Sequence, residues 1–146
     1  MKGELLWLRA YEMIELSNTT AQTLAPGQSL TFDTVILKSG GGEAHRTNSG
    51  IVTLKANCAI YEIHFAANIS GTAAGPVQLA ITLDGEPLPE TTMINTVTTA
   101  GDPNNVATAT LVRTGCGCCG RIAVTNTGTS DAIVSANPSL FVKRVA

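Results

Sequence analysis

The chain has 146 residues, 9 Lys+Arg against 11 Asp+Glu and a charged fraction of only 14%, well below the roughly 25% of ordinary soluble domains. The net charge of −2, with no basic run and no acidic tail, argues against a nucleic-acid partner. The length fits one domain over residues 1–146, and so apolar a surface, rich in Thr, Ala and Gly, is expected to be partly buried between subunits.

Within that domain, residues 1–17 read as an N-terminal strand or short lead-in segment and residues 18–146 as the remainder. The stretch "ELLWLRAYEMIEL" carries Arg9, Glu12 and Glu15, is too short to span a bilayer and lacks a secretory cleavage pattern. Neither membrane insertion nor a signal peptide is expected in this chain. Leu6, Ala10, Met13 and Ile14 approximate a helical stripe, whereas Leu5, Trp7, Arg9 and Tyr11 alternate with Leu6, Leu8 and Ala10 as a buried strand would. The strand reading is taken for residues 4–10.

Thereafter the chain reads as strand after strand. "QSLTFDTVIL", "GIVTLKANCAIYEIHFAANIS", "PVQLAITLDGEPL", "NNVATATLVRT", "RIAVTNT" and "AIVSANPSLFVKRVA" are rich in Val, Ile, Thr and Phe. Each is bounded by Gly, Pro, Asn, Asp or Ser clusters, which predicts an all-β sandwich or barrel. Gly40-Gly41-Gly42 lacks the Lys-Ser/Thr of a phosphate loop and reads as a flexible connection. Period-two alternation puts Tyr61, Ile63 and Phe65 on the core side of one strand, with His64 outward beside Glu62. Leu79 and Ile81 belong to the core face of the next strand. Asp84-Gly85 then predicts a two-residue hairpin turn, and Pro87 and Pro89 demote the return strand to an edge or loop. In the last segment Leu140 and Val142 share one face, Phe141 and Val145 the other. A strand apolar on both faces is buried on both, within the fold or against another subunit.

"TLVRTGCGCCGRIAVTNTG" concentrates Cys116, Cys118 and Cys119 in one loop, with Cys58 far away in sequence. Structural zinc needs four ligands, and only Cys58, His45 or His64 could complete the set, so Cys116, Cys118 and Cys119 are weak metal candidates. A thioredoxin-like role lacks the helix that activates the thiol. Strands ending near Arg113 and starting near Arg121 leave Thr114–Gly120 as an exposed hairpin tip. Thiols there are expected to form a disulfide drawn from Cys58, Cys116, Cys118 and Cys119, within the loop or between subunits, unless they merely pack as small residues. No catalytic residue and no cofactor is predicted, because no nucleophile elbow or other catalytic motif is present.

The succession "AIYEIHFAANIS", "VQLAITLDGEPLP", "IAVTNTG" and "SLFVKRV" resembles the bacterial and phage C1q/TNF-like domains, which also head collagen-like spore-surface proteins. The resemblance covers about residues 4–145. On it, Tyr61 and Phe65 look like the aromatic pair of the central strand, Asp84-Gly85 like the usual hairpin, and Leu140–Val145 like the terminal strand beside the N-terminal one at the subunit contact. A Pro-Gly turn often precedes the central Tyr in that family, and Cys58-Ala59 stands there instead.

The resemblance implies a jelly roll of about 8 to 10 strands packed as a homotrimer, with Leu140, Phe141, Val142, Val145 and His64 at the interface. It further implies a non-enzymatic structural or adhesive module of a phage virion or a bacterial or spore surface, extracellular in location. The expected partners are copies of itself, other virion or coat proteins, and a host-surface glycan or protein met by loops such as Lys38–Gly50 and Ala100–Asn105. The rival expectation is a metal-binding or thiol redox protein built on the cysteine cluster.

Overall fold

The computed structural model describes residues 12–117 and 119–146. Along them run β1 (Met13–Ser17), β2 (Gln22–Leu24), β3 (Thr34–Ser39), β4 (Glu43–His45), β5 (Val52–Leu54), β6 (Ile60–Gly71) and β7 (Gly75–Leu83). There follow β8 (Glu86–Pro87), a 3-10 turn (Pro89–Thr91), β9 (Met93–Val97), β10 (Asn104–Arg113), β11 (Gly120–Asn126), β12 (Ala132–Val134) and β13 (Ser139–Arg144). The strand expected at residues 4–10 lies outside the described residues, and β1 is the first strand beyond it.

The strands form a seven-stranded and a six-stranded antiparallel sheet, packed as a sandwich. In the first, β6 is the organising strand. One of its edges takes β10 from Ile60 to Ile69, and the other takes β13 along Tyr61–Ala66 and then β12 along Ile69–Gly71. Beyond β13 lie β1 and then β3, while β2 flanks β12. The second sheet runs β4-β5-β11-β7, with β8 and β9 against the far edge of β7. The chain crosses repeatedly between the sheets, and this crossing makes the sandwich a jelly roll.

The alternation of the sequence is what fills the interior. Tyr61, Ile63, Phe65, Leu79 and Ile81 are all buried and join one core with Leu16 of β1 and with Leu30 and Phe32 of the connection between β2 and β3. The final strand contributes Leu140 and Val142 to this same core, each fully buried. Its second apolar set, Phe141 and Val145, points the other way. Asp84 and Gly85 adopt φ of +51° and +86°, the left-handed pair that a two-residue turn between right-twisted strands requires.

Three expectations are corrected. The stretches from Gly50 and from Ala132 each break in two, at Cys58 (φ +49°) and at Asn137 (φ +66°), because a left-handed residue ends a strand. The "TTMINTV" stretch, not counted among the strands, holds β9, whose Met93, Asn95 and Val97 face inward. Residues 38–50 are not one continuous loop, since β4 sits among them and places His45 against Phe32 with ring centroids 6.3 Å apart.

The glycine run is packed rather than flexible. A Cβ on Gly42 would lie 2.6 Å from Glu12 Oε2, and one on Gly40 would lie 2.8 Å from Glu12 Cγ. The Gly42 carbonyl accepts the Tyr61 hydroxyl at 2.6 Å, and that hydroxyl accepts the Ala56 N–H at 3.3 Å. Tyr61→Phe leaves the Ala56 N–H without its acceptor and the Gly42 carbonyl with the Lys55 N–H alone. It is expected to lower stability by about 1 to 2 kcal/mol, measured as a shift of the urea midpoint at constant slope.

Candidate functional site

Two of the edge strands of the seven-stranded sheet, β3 and β10, present apolar side chains to solvent. At one end, β3 pairs only with β1, through a register shifted between Glu15 and Leu16. It exposes Val35, Ile36 and Leu37 in succession, Ile36 at 57%, so both faces of this strand are uncovered. At the other end, β10 keeps Val112 in the core and turns Ala107, Ala109 and Leu111 outward, Leu111 being 65% exposed. A flat apolar edge strand is a template for association, and monomeric proteins normally blunt it with charge, proline or a bulge. In β3 the only charge is Lys38.

Between these ends lies the outer face of β6 and β13. His64 stacks edge-on against its cross-strand partner Phe141, ring centroids 5.9 Å apart, and its Nε2 lies 3.0 Å from Glu62 Oε1. Both ion-pair members are well exposed, so the pair adds little to stability by itself. Of the five residues expected at a subunit contact, His64, Phe141 and Val145 lie on the outer side of the sheet. Leu140 and Val142 do not, because the pleat of β13 turns them into the chain's own core. Leu111 and the β3 triad were missed. The alternation of "ATATLVR" was the signal for Leu111, whereas "TVIL" carries none that separates a covered strand from an exposed edge.

The cysteine loop is built differently from the hairpin tip that was expected. β10 belongs to the seven-stranded sheet and β11 to the six-stranded one, so residues 114–119 cross between sheets. Thr114 anchors the crossover. Its hydroxyl donates to the Ala56 carbonyl at 2.6 Å and accepts the Ala59 N–H at 2.9 Å, and its own N–H donates to the Ala59 carbonyl at 2.8 Å. This brings the segment before β6 alongside the segment after β10, and Cys58 and Cys116, with Cα atoms 4.5 Å apart, form a disulfide. The staple joins two loops of one chain, neither inside the Cys116–Cys119 loop nor between subunits. With its sulfur in that bridge Cys116 is not a free thiolate, which removes one of the three weak metal candidates; Cys118 lies outside the described residues.

One carboxyl group is placed where water cannot reach it. β4 pairs Glu43 with Leu54, on the core-facing side, and leaves Glu43 1% exposed with neither carboxylate oxygen hydrogen-bonded. Burial pushes its pKa up to about 7, helped by the negative charge of Glu12 and opposed by Lys38 and Arg144. Glu12 itself is paired with Arg144 at 3.1 Å. At the opposite pole, Asp33 is held below the usual carboxylate range by hydrogen bonds from the hydroxyls of Thr34 and Thr19. That contact ties the β1–β2 connection to the start of β3.

No protein-family model matches the chain, and no curated protein matches its sequence. Solved structures do. A tumour necrosis factor, Eiger TNF from S. frugiperda, superposes with a TM-score of 0.73 at 11% identity, covering 94% of either chain. The globular domain of zebrafish complement 1qA gives 0.62 at 10% identity, over 90% of this chain and 94% of that one. The PRD1 vertex protein P5 gives 0.55 at 10% identity, over 94% of this chain and 99% of that one.

The fold is a C1q/TNF-like jelly roll.

In this C1q/TNF-like jelly roll the terminal strand runs beside β1, Met13 to Leu16 facing Lys143 to Leu140, while the N-terminal strand expected at residues 4–10 lies outside the described residues. Tyr61 and Phe65 do occupy its central strand. The departure at Cys58-Ala59 also has its explanation: Cys58 takes the left-handed turn conformation that a Pro-Gly turn would supply, and its side chain carries the staple.

Proposed function

We propose that the chain is a non-enzymatic structural and adhesive module that assembles as a homotrimer on a phage virion or on a bacterial or spore surface. The observation that carries the assembly is the pair of unlike apolar edges on one sheet, β3 at one end and β10 at the other. A closed ring needs a surface that meets a different surface on the next copy, whereas a twofold dimer needs one patch that meets itself. Two distinct apolar edges on opposite sides of the sandwich supply the ring. The C1q/TNF-like resemblance supports an order of three, with His64, Phe141 and Val145 on the flank between the edges.

The solved structures that it is similar to are named as a TNF, a complement protein and a vertex protein, which supports a binding or structural role rather than catalysis. That one of them is a vertex protein supports the virion setting and an extracellular location. A host-surface glycan or protein, or a neighbouring coat protein, is then the partner of the assembled trimer.

Light scattering at micromolar concentration tests the assembly. The expected mass is three times the 15.1 kDa of the chain. Ile36→Glu combined with Leu111→Glu is expected to return a folded monomer, because both residues are exposed in the single chain and their replacement leaves its core intact. A wild type that scatters as a 15.1 kDa species removes the proposal.

A further inference from the structure

The outer face of the six-stranded sheet, away from the apolar edges, carries a cleft of about 360 Å³. The register sets Ala44, Thr53 and Arg121 side by side across β4, β5 and β11. Arg46, one residue beyond β4, continues the outward alternation of Ala44 and lines the same cleft, as do Ile51 and Ser49. A second hollow of about 390 Å³ shares Ile51 and Arg121 and continues over Thr82, Ala123 and Thr125. The small side chains make the surface concave, and two guanidinium groups stand around it.

Those two cations have no acidic partner. The ion pairs among the described residues are Glu12–Arg144 and Glu62–His64, and neither involves Arg46 or Arg121. The one carboxylate lining the second hollow, Asp84, is engaged by backbone: its Oδ1 accepts the Arg121 N–H at 3.0 Å. Neither guanidinium group has a side-chain ion pair among the described residues, so both are available to an oxyanion in the concavity. Arginine is suited to that role because its planar fork meets a carboxylate or sulfate with two parallel hydrogen bonds.

The rest of the lining narrows the ligand. The one aromatic ring of the lining is the His45 imidazole, which is engaged edge-on with Phe32 and by the Ser49 carbonyl at 2.9 Å, and no Phe, Tyr or Trp offers a stacking platform. The Ser49 hydroxyl accepts the Ile51 N–H and keeps its own proton to donate, and the Thr53 hydroxyl lies on the same surface. Ile51, half exposed between the two hollows, offers a small apolar contact of the kind that the C–H face of a sugar ring covers. The volume is at the lower end of small-ligand sites, which run from about 300 to 1,000 Å³.

We propose that this cleft binds an acidic saccharide, its carboxylate or sulfate held between Arg46 and Arg121 and its ring against Ile51. The inference rests on the adhesive half of the function proposed above and names the chemistry of its partner. The site is complete within one chain.

The test is calorimetric titration of the whole protein with oligogalacturonate, dextran sulfate, neutral dextran and inorganic sulfate. Saturable binding of oligogalacturonate assigns the oxyanion as carboxylate, and of dextran sulfate as sulfate. Neutral dextran is expected not to bind, and inorganic sulfate to bind at least tenfold more weakly than the acidic saccharide. Arg46→Gln with Arg121→Gln is expected to reduce that affinity at least tenfold while the melting temperature stays unchanged. Failure of both acidic saccharides to saturate, or wild-type affinity in the double variant, overturns the proposal. Light scattering on the same samples keeps the two readings apart, since a trimer that binds neither saccharide sinks the cleft and leaves the assembly standing.

Discussion

Reduction of the Cys58–Cys116 bridge is expected to destabilise the chain by about 4 kcal/mol, the loop-closure value for a sequence separation of 58 residues. Both cysteines are exposed, so replacing them removes little packing, and the loss acts through the greater freedom of the unfolded chain. Cys58→Ser combined with Cys116→Ser is expected to match the reduced wild type, each melting roughly 10 to 15 °C below the oxidised protein. Peptide mapping without reductant should recover the two segments linked within one chain. Equal denaturation midpoints for oxidised and reduced protein would show that the bridge contributes nothing.

A fall in stability of about 3 kcal/mol between pH 4.5 and pH 7 is expected from Glu43 alone. Its folded pKa of about 7 stands above the ordinary 4.5, and each unit of difference corresponds to about 1.4 kcal/mol. The sign follows from the raised value. Below pH 4.5 the group is protonated both folded and unfolded, and its contribution is fully present. As the pH rises, the unfolded chain releases the proton while the folded chain holds it, and stability declines until the folded group ionises near pH 7. Beyond that the penalty is constant. Glu12, Lys38, Arg144 and Tyr61 surround the group, so Glu43→Gln is the cleaner probe than any change of a neighbour. The variant is expected to melt about 10 °C above wild type at pH 8 and close to it at pH 4.5. Parallel pH profiles for the two proteins would place the dependence elsewhere.

What could be read without the structure followed the strength of the alternation. β6 and β7 carry unbroken period-two patterns ending in an Asp-Gly turn, and there the inward residues and the turn were both legible. Sheet membership was not. "TLVRT" and "RIAVTNT" have the signature of a hairpin whether they pair with each other or, as here, with β6 in one sheet and β7 in the other. The cysteine loop was therefore misplaced along with them, since Cys116 is brought to Cys58 by the β6–β10 ladder, the Thr114 hydrogen bonds and the Cys58 N–H on the Gly115 carbonyl. The two-faced β13 left its inner and outer residues interchangeable on paper, and the pleat assigned Leu140 and Val142 to the core. Arg46 and Arg121 are 75 positions apart and mean nothing as a pair until β4, β5 and β11 align.

The central position of β6 has a consequence for how the domain is made. Within its sheet every strand that pairs with it, β10, β12 and β13, comes later in the chain. A growing polypeptide that has emerged as far as Gly71 therefore displays its longest strand with both edges open, and the second edge closes only when Ser139–Arg144 arrive. Pairings so distant in sequence form slowly, and open edges invite misassembly in the interval. A truncation before Ser139 leaves the Tyr61–Ala66 edge of β6 and the facing edge of β1 without their common partner.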